Sequence, residues 1–284
     1  MTDSGWSKAL QAEIMHSPSY KLAYEDTDLL ADDDLRALRL QLELLKPERA
    51  LQEHGIKSTV VVFGSARTLS LEDARKRMTE AEQTSAQNPN DEEAQKALNL
   101  AIRQQRQAAY YEEARRFAML VSERFQQEKR RDFVVITGGG PGIMEAANRG
   151  AFDADARSIG LNITLPHEQK PNPFITPDLA FRFHYFAIRK MHFLMRAKAL
   201  VAFPGGFGTF DELFEALTLI QTRKMQPVPV VLFGAKFWQR AIDFDFLIAE
   251  GVIAPKDRAL FSFVETAEQA IDVLQDFYQG VPPE

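Results

Sequence analysis

From Asp132 onward, short apolar runs alternate with helical patterns, and this alternation constrains the fold more than any other feature of the chain. Phe133-Val134-Val135-Ile136, Ile159-Gly160-Leu161-Asn162-Ile163, Leu200-Val201-Ala202-Phe203 and Pro229-Val230-Val231-Leu232-Phe233 read as buried strands. Ala180 to Phe183 and Ser262-Phe263-Val264 read as two shorter ones, and a further run, Thr59 to Phe63, stands upstream and ends at Gly64. Strands that are apolar throughout, each followed by a helix, are covered on both faces. The predicted fold is therefore α/β: a Rossmann-like doubly wound parallel sheet. Residues 1–55 read as a helical leader. Residues 56–284 read as a nucleotide-binding domain carrying a helical insertion at about 71–131, broken by the turn Asn88-Pro89-Asn90-Asp91. In such sheets ligands sit beyond the carboxyl ends of the strands, where the strand order reverses.

Composition removes several classes. The 284 residues include no cysteine, so disulfides, thiolate nucleophiles and cysteine metal sites are excluded. The net charge of −6 argues against a nucleic-acid surface, which needs clustered Lys and Arg. The first twenty residues lack the basic-then-apolar pattern of a secretory signal, and no run approaches 18 apolar residues. The expectation is a cytoplasmic protein without membrane contact. Five scattered histidines suggest no metal site.

Two glycine turns stand at strand ends. Ile136-Thr137-Gly138-Gly139-Gly140-Pro141-Gly142-Ile143-Met144 passes from strand through turn to helix. Glycine lets a backbone approach an anion, and the N–H groups opening a helix bind it. The competing reading is a tight turn with Pro141 as a good first helical residue. Ile143 stands where the dinucleotide fingerprint needs glycine, and Asn162 and Thr164 occupy the region of its acidic residue, so no nicotinamide cofactor is expected. The second turn is Pro204-Gly205-Gly206-Phe207-Gly208-Thr209-Phe210-Asp211-Glu212. Thr209 and Glu212 have the spacing of a capping box, which gives Glu212 a purely structural alternative role. Gly64-Ser65-Ala66-Arg67 after the first strand is a third candidate turn. Upstream of the second turn stand Arg189-Lys190 and Arg196; Arg189 and Arg196 are two helical turns apart and share a face.

Arg189-Lys190, the Pro204-Gly205-Gly206-x-Gly208-Thr209-x-x-Glu212 string and the triple-glycine turn together resemble the LONELY GUY family. Its members are cytokinin riboside 5′-monophosphate phosphoribohydrolases and bacterial nucleotide 5′-monophosphate nucleosidases, often mislabelled as lysine decarboxylases. The resemblance covers about residues 57 to 265 apart from the inserted helices. It implies hydrolysis of the N-glycosidic bond of a nucleoside 5′-monophosphate to base and ribose 5-phosphate, without a cofactor. It implies Arg189 and Glu212 as catalytic residues, with Gly205, Gly206, Gly208 and Thr209 on the 5′-phosphate. Ser65, Gly138, Gly139, Gly140, Gly142 and Lys190 complete the candidate substrate-binding set. A homodimer or larger even oligomer is implied as well. Phe193 replaces the methionine of the plant pattern, and the leader and insertion are absent from compact plant members, which bears on cytokinin specificity. Pyridoxal chemistry needs a Schiff-base lysine, and no feature of the sequence identifies one. Cleaving such a bond builds positive charge on the sugar ring, which a carboxylate such as Glu212 can stabilise; Glu145 and Asp211 are weaker second candidates. Arg189 is always charged and cannot be the base. The alternative is a non-catalytic nucleotide or molybdenum-cofactor carrier of the same fold.

Overall fold

The computed structural model describes residues 3–127, 130–165 and 170–280. Two compact units divide the chain, Met1–Lys46 and Pro47–Glu284. The first contains α1 (Asp3–His16), α2 (Thr27–Ala31) and the start of α3 (Arg36–Glu53). Asp26 caps α2 by accepting from the N–H groups of Asp28 and Leu29.

The second unit is built on a seven-stranded parallel sheet: β1 (Thr59–Phe63), β2 (Val134–Thr137), β3 (Ser158–Ile163), β4 (Ala180–Phe183), β5 (Ala197–Ala202), β6 (Val230–Phe233) and β7 (Ser262–Val264). The spatial order is β4-β3-β2-β1-β5-β6-β7. The order runs outward one way from β1 to β4 and the other way from β5 to β7, so it reverses beside β1. The Rossmann-like expectation holds, and the reversal point is where such sheets bind ligands.

Strand composition follows from double coverage. On β1, Val61 and Phe63 face one core and Val60 and Val62 the other; all are buried. The first core is filled by α7 (Phe186–Met195), α8 (Phe207–Gln221), α9 (Ala235–Ala241) and α10 (Phe244–Ala249), through Phe193, Leu213, Trp238 and Phe244. The second is filled by α5 (Glu92–Phe125), α6 (Ile143–Asp153) and α11 (Ala267–Tyr278), through Phe117, Ile143 and Ile271. Helix α4 (Leu71–Gln87) lies between β1 and α5, and the C-terminal half of α5 packs on the sheet through Tyr111, Ala114, Phe117, Ala118 and Val121. Full burial of each large apolar side chain contributes about 1.5–3 kcal/mol, which fixes the strands that carry the site. No described helix is long and apolar enough to cross a membrane.

Candidate active site

The three turns meet at the reversal point. Ser65 N–H donates to the Pro204 carbonyl at 3.1 Å, and Ile143 N–H donates to the Ser65 carbonyl at 3.1 Å. One backbone segment after β1 thus ties the turn after β2 to the turn after β5. The Ser65 hydroxyl accepts from Arg67 N–H at 3.1 Å and so stabilises its own loop.

The first glycine turn is packed from every side. Gly139 and Gly142 have φ of +70° and +72°, which a side chain resists. A Cβ on Gly142 would lie 2.3 Å from the Ser65 carbonyl oxygen, and one on Gly139 would lie 2.3 Å from Asn162 Oδ1. Side-chain amides hold the carbonyls: Asn162 Nδ2 donates to Gly139 O at 3.1 Å and Asn172 Nδ2 to Gly140 O at 3.1 Å. Asn172 also donates to Asn148 Oδ1, which accepts from the Thr137 hydroxyl at 2.7 Å. Sequence reasoning missed Asn148 and Asn172. Neither lies in a motif, and the bonds that join them to Thr137, Gly140 and each other span 11 to 32 positions.

The second turn is open. Gly206 is the N-cap of α8 and makes no side-chain cap bond, and a Cβ on Gly206 or Gly208 would meet nothing within 4 Å. Gly205 is different: a Cβ there would lie 2.1 Å from Thr209 Oγ1, so glycine is needed for the fit. The capping-box reading is corrected here. Thr209 lies inside the first turn of α8 rather than at its N-cap, so Glu212 has no cap to complete.

Glu212 is instead 8% exposed, and its Oε2 has no hydrogen-bond partner among the described residues. Burial pushes its carboxyl up to about 7, against the opposing pull of Arg189 and Lys190. Arg189 enters from α7: its Nε donates to the Leu161 carbonyl at 2.8 Å, and its guanidinium carbon lies 5.2 Å from the Phe193 ring centre. A Cβ on Gly138 would stand 2.5 Å from Arg189 Nη2, so Gly138 makes room for the guanidinium. Desolvation lowers the Arg189 pKa and the charge of Glu212 raises it; the group remains a cation. Lys190 is engaged, with its ammonium 3.1 Å from both Asp211 and Glu215 on α8.

Some candidates lie elsewhere. Arg196 shares a helical face with Arg189 but follows the far end of α7. Its carbonyl accepts from Thr59 N–H at the start of β1, and its guanidinium pairs with Glu48 at 2.8 Å. Glu145 accepts from the Tyr111 hydroxyl at 2.8 Å, which with burial pushes that phenol above its ordinary range. Asp211 is taken by Lys190. No cluster of three or more His, Cys, Asp or Glu suited to a metal occurs among the described residues.

Fold and site thus define a class: a parallel α/β protein with a half-buried arginine and a buried carboxylate beside helix-opening turns. The family profile described as "Possible lysine decarboxylase" matches residues 144–274. The chain is 26% identical over 156 residues to a probable cytokinin riboside 5′-monophosphate phosphoribohydrolase of Oryza sativa subsp. japonica, covering 51% of this chain and 68% of that one. It is 32% identical over 121 residues to the pyrimidine/purine nucleotide 5′-monophosphate nucleosidase of Escherichia coli K12, spanning 37% of this chain and only 25% of that protein's length. A solved molybdenum cofactor binding protein from Rippkaea orientalis matches at 20% identity and a TM-score of 0.43, over 60% of this chain and 88% of that one. The resemblance to the LONELY GUY family is borne out by the profile and by these curated relatives.

Proposed function

We propose that the protein hydrolyses the N-glycosidic bond of nucleoside 5′-monophosphates, AMP or a cytokinin riboside monophosphate among them, to free base and ribose 5-phosphate. The observation that carries this reading is Glu212, a buried carboxylate with an unpartnered oxygen and a pKa near 7, close enough to Arg189 to feel its charge. A structural carboxylate in such a place would be bonded or replaced. In the reaction the bond from C1′ to the base breaks as positive charge grows on the ring. Glu212 stabilises that charge and orients the water that attacks C1′, taking its proton as the new bond forms. The departing base takes up a proton from solvent and Glu212 gives the water's proton back to solvent, so the net change is one water consumed. Arg189, fixed through Nε on Leu161, binds the sugar or the departing base with its remaining N–H groups. The 5′-phosphate lies on the uncapped N–H groups of Phe207, Gly208 and Thr209, where the α8 dipole favours an anion.

A groove of about 610 Å³ along α8 is lined by Phe207, Phe210, Phe214 and Leu219 together with Asp211, Glu215 and Thr218, and Phe207 is 97% exposed. Together with the family resemblance, this exposed apolar face supports a homodimer or larger even oligomer. A monomer by light scattering at micromolar concentration would overturn that assembly.

The test of function is a panel of nucleoside 5′-monophosphates with chromatographic detection of free base. AMP is expected to react and adenosine far more slowly, because phosphate binding orients the glycosidic bond. Absence of base release from every monophosphate would leave the carrier reading in its place.

A further inference from the structure

A second cationic cluster lies at the opposite edge of the sheet. Lys57, Arg131 and Arg157 stand two, three and one residues before β1, β2 and β3, three adjacent strands, and so gather at the amino ends. Ile56 and Arg131 pair in a parallel bridge, and Lys57 N–H donates to the Arg131 carbonyl at 3.0 Å. Both guanidinium groups converge on one residue. Arg131 Nη1 donates to the His54 carbonyl, and Arg157 Nη1 lies 2.7 Å from His54 Nδ1. Arginine only donates, so Nδ1 accepts and the ring proton sits on Nε2.

Among the described residues no carboxylate pairs with these guanidiniums; the buried Asp132, next to Arg131, accepts from the Ser58 hydroxyl at 3.0 Å. Elsewhere Arg115 pairs with Asp153, Arg116 with Glu268 and Arg196 with Glu48. Arg131 and Arg157 form no ion pair with any described residue, although both are half-buried. Burial and the charge of Arg157 both lower the Arg131 pKa, as expected for like charges held together. Keeping two guanidiniums together without a carboxylate costs stability, and an anion offsets that cost. Guanidinium forks match tetrahedral oxyanions in geometry.

We propose that Arg131, Arg157 and His54, with Lys57 at the rim, form a second anion site that takes a phosphate group, free or as a monoester. It stands beyond the five-residue length of β1 from the glycine turns, roughly 17 Å away, and is independent of the function proposed above.

The experiment uses the full chain in phosphate-free, low-salt buffer, with inorganic phosphate and ribose 5-phosphate as probes in calorimetric titrations. The Gly208→Ala variant blocks the place on α8 proposed for the 5′-phosphate and should still bind one of the probes. Adding Arg131→Gln and Arg157→Gln should weaken that binding roughly tenfold or more, since each lost charged hydrogen bond is worth about one decade. Preference for inorganic phosphate identifies the free ion, and preference for ribose 5-phosphate identifies a monoester. Binding of neither probe to Gly208→Ala, or undiminished binding by the triple variant, would overturn the site. Arg157→Gln alone supplies a check on folding. Without phosphate it should melt at or above the parent temperature, because a like charge is removed. A lower melting point in both the absence and presence of phosphate would mean that Arg157 is only a structural partner of His54.

Discussion

The turns after β2 and β5 are alike in sequence, each a glycine-rich passage from strand to helix, but their surroundings differ. At Gly139 and Gly142 the space a side chain would need is filled by Asn162 and by the Ser65 backbone. The leading N–H of α6, at Ile143, is already bonded to the Ser65 carbonyl. At Gly206 and Gly208 the space is empty, and the start of α8 has no side-chain cap. Glycine serves packing in the first turn and access in the second. Under the proposed function, the anion-binding role that both turns carried in the sequence would fall chiefly to the second, while the first leaves room for Arg189 at Gly138.

The largest effect expected from this contrast is at Gly142. Its φ of +72° and ψ of −131° lie in a region almost confined to glycine, and a Cβ would collide with immovable backbone. Backbone strain and overpacking each cost about 1–3 kcal/mol, so Gly142→Ala should destabilise the protein by about 3–5 kcal/mol in chemical denaturation. A loss under 1 kcal/mol would show that the first turn yields easily, and the contrast would fail.

How much of this was legible in the sequence depends on how far apart the interacting residues are. The strands were plain because strands covered on both faces must be apolar throughout, and the parallel sheet followed from the intervening helices. Arg189 and Glu212 were reached through a motif, not through geometry. A helical wheel put Arg189 and Arg196 on one face but says nothing of height. Seven residues advance a helix by about 10 Å, enough to carry Arg196 to the other edge of the sheet and onto Glu48. The Thr209–Glu212 spacing suggested a cap because it ignores where the helix starts; α8 begins at Phe207, so its N-cap is Gly206, three residues before Thr209. The amides of Asn148, Asn162 and Asn172 and the clamp on Lys190 depend on contacts between separate elements. No local pattern encodes those.

The next largest effect concerns the carboxylate beside the open turn. Glu212→Gln should lower kcat for AMP by a factor on the order of 10² or more, the scale for a positioned catalytic group. The fold should survive, because Glu212 completes no cap and its Oε2 bonds nothing described. Near-parental turnover by a folded variant would remove Glu212 from the mechanism.

The pH dependence gives a smaller, graded effect. The native carboxyl titrates near 7 and the unfolded one near 4.5, so the native state holds the proton more tightly. The group's contribution to stability is complete below about pH 4.5 and is lost as pH rises through about 7. Catalysis runs the other way, since the ionised form acts. In the parent, kcat/KM should fall about tenfold per pH unit below 7. Above pH 7, Glu212→Gln should be at least as stable as the parent. A rate flat between pH 5 and 8 would show that Glu212 does not titrate in the free enzyme, and that its burial has been misjudged.

The smallest change in stability, and the sharpest test of the contrast, is at Gly208. It occupies the second position of α8, and an added Cβ meets nothing within 4 Å. Alanine is favoured over glycine in a helix by roughly 0.5–1 kcal/mol, so Gly208→Ala should leave the protein as stable as the parent or slightly more so. If the open space is where the 5′-phosphate rests, the same methyl group blocks it. The KM for AMP should then rise several-fold or more, while the much slower reaction of adenosine, which has no phosphate to place, stays unchanged. A purely conformational glycine forecasts otherwise: lower stability, with both substrates affected alike. The outcome with Gly142→Ala supplies the reference, because there stability should fall steeply. If Gly208→Ala is destabilised like Gly142→Ala, the two turns use glycine for the same reason and the phosphate must be sought elsewhere. If it is stable and AMP turnover is unaffected, the space above α8 is simply surface.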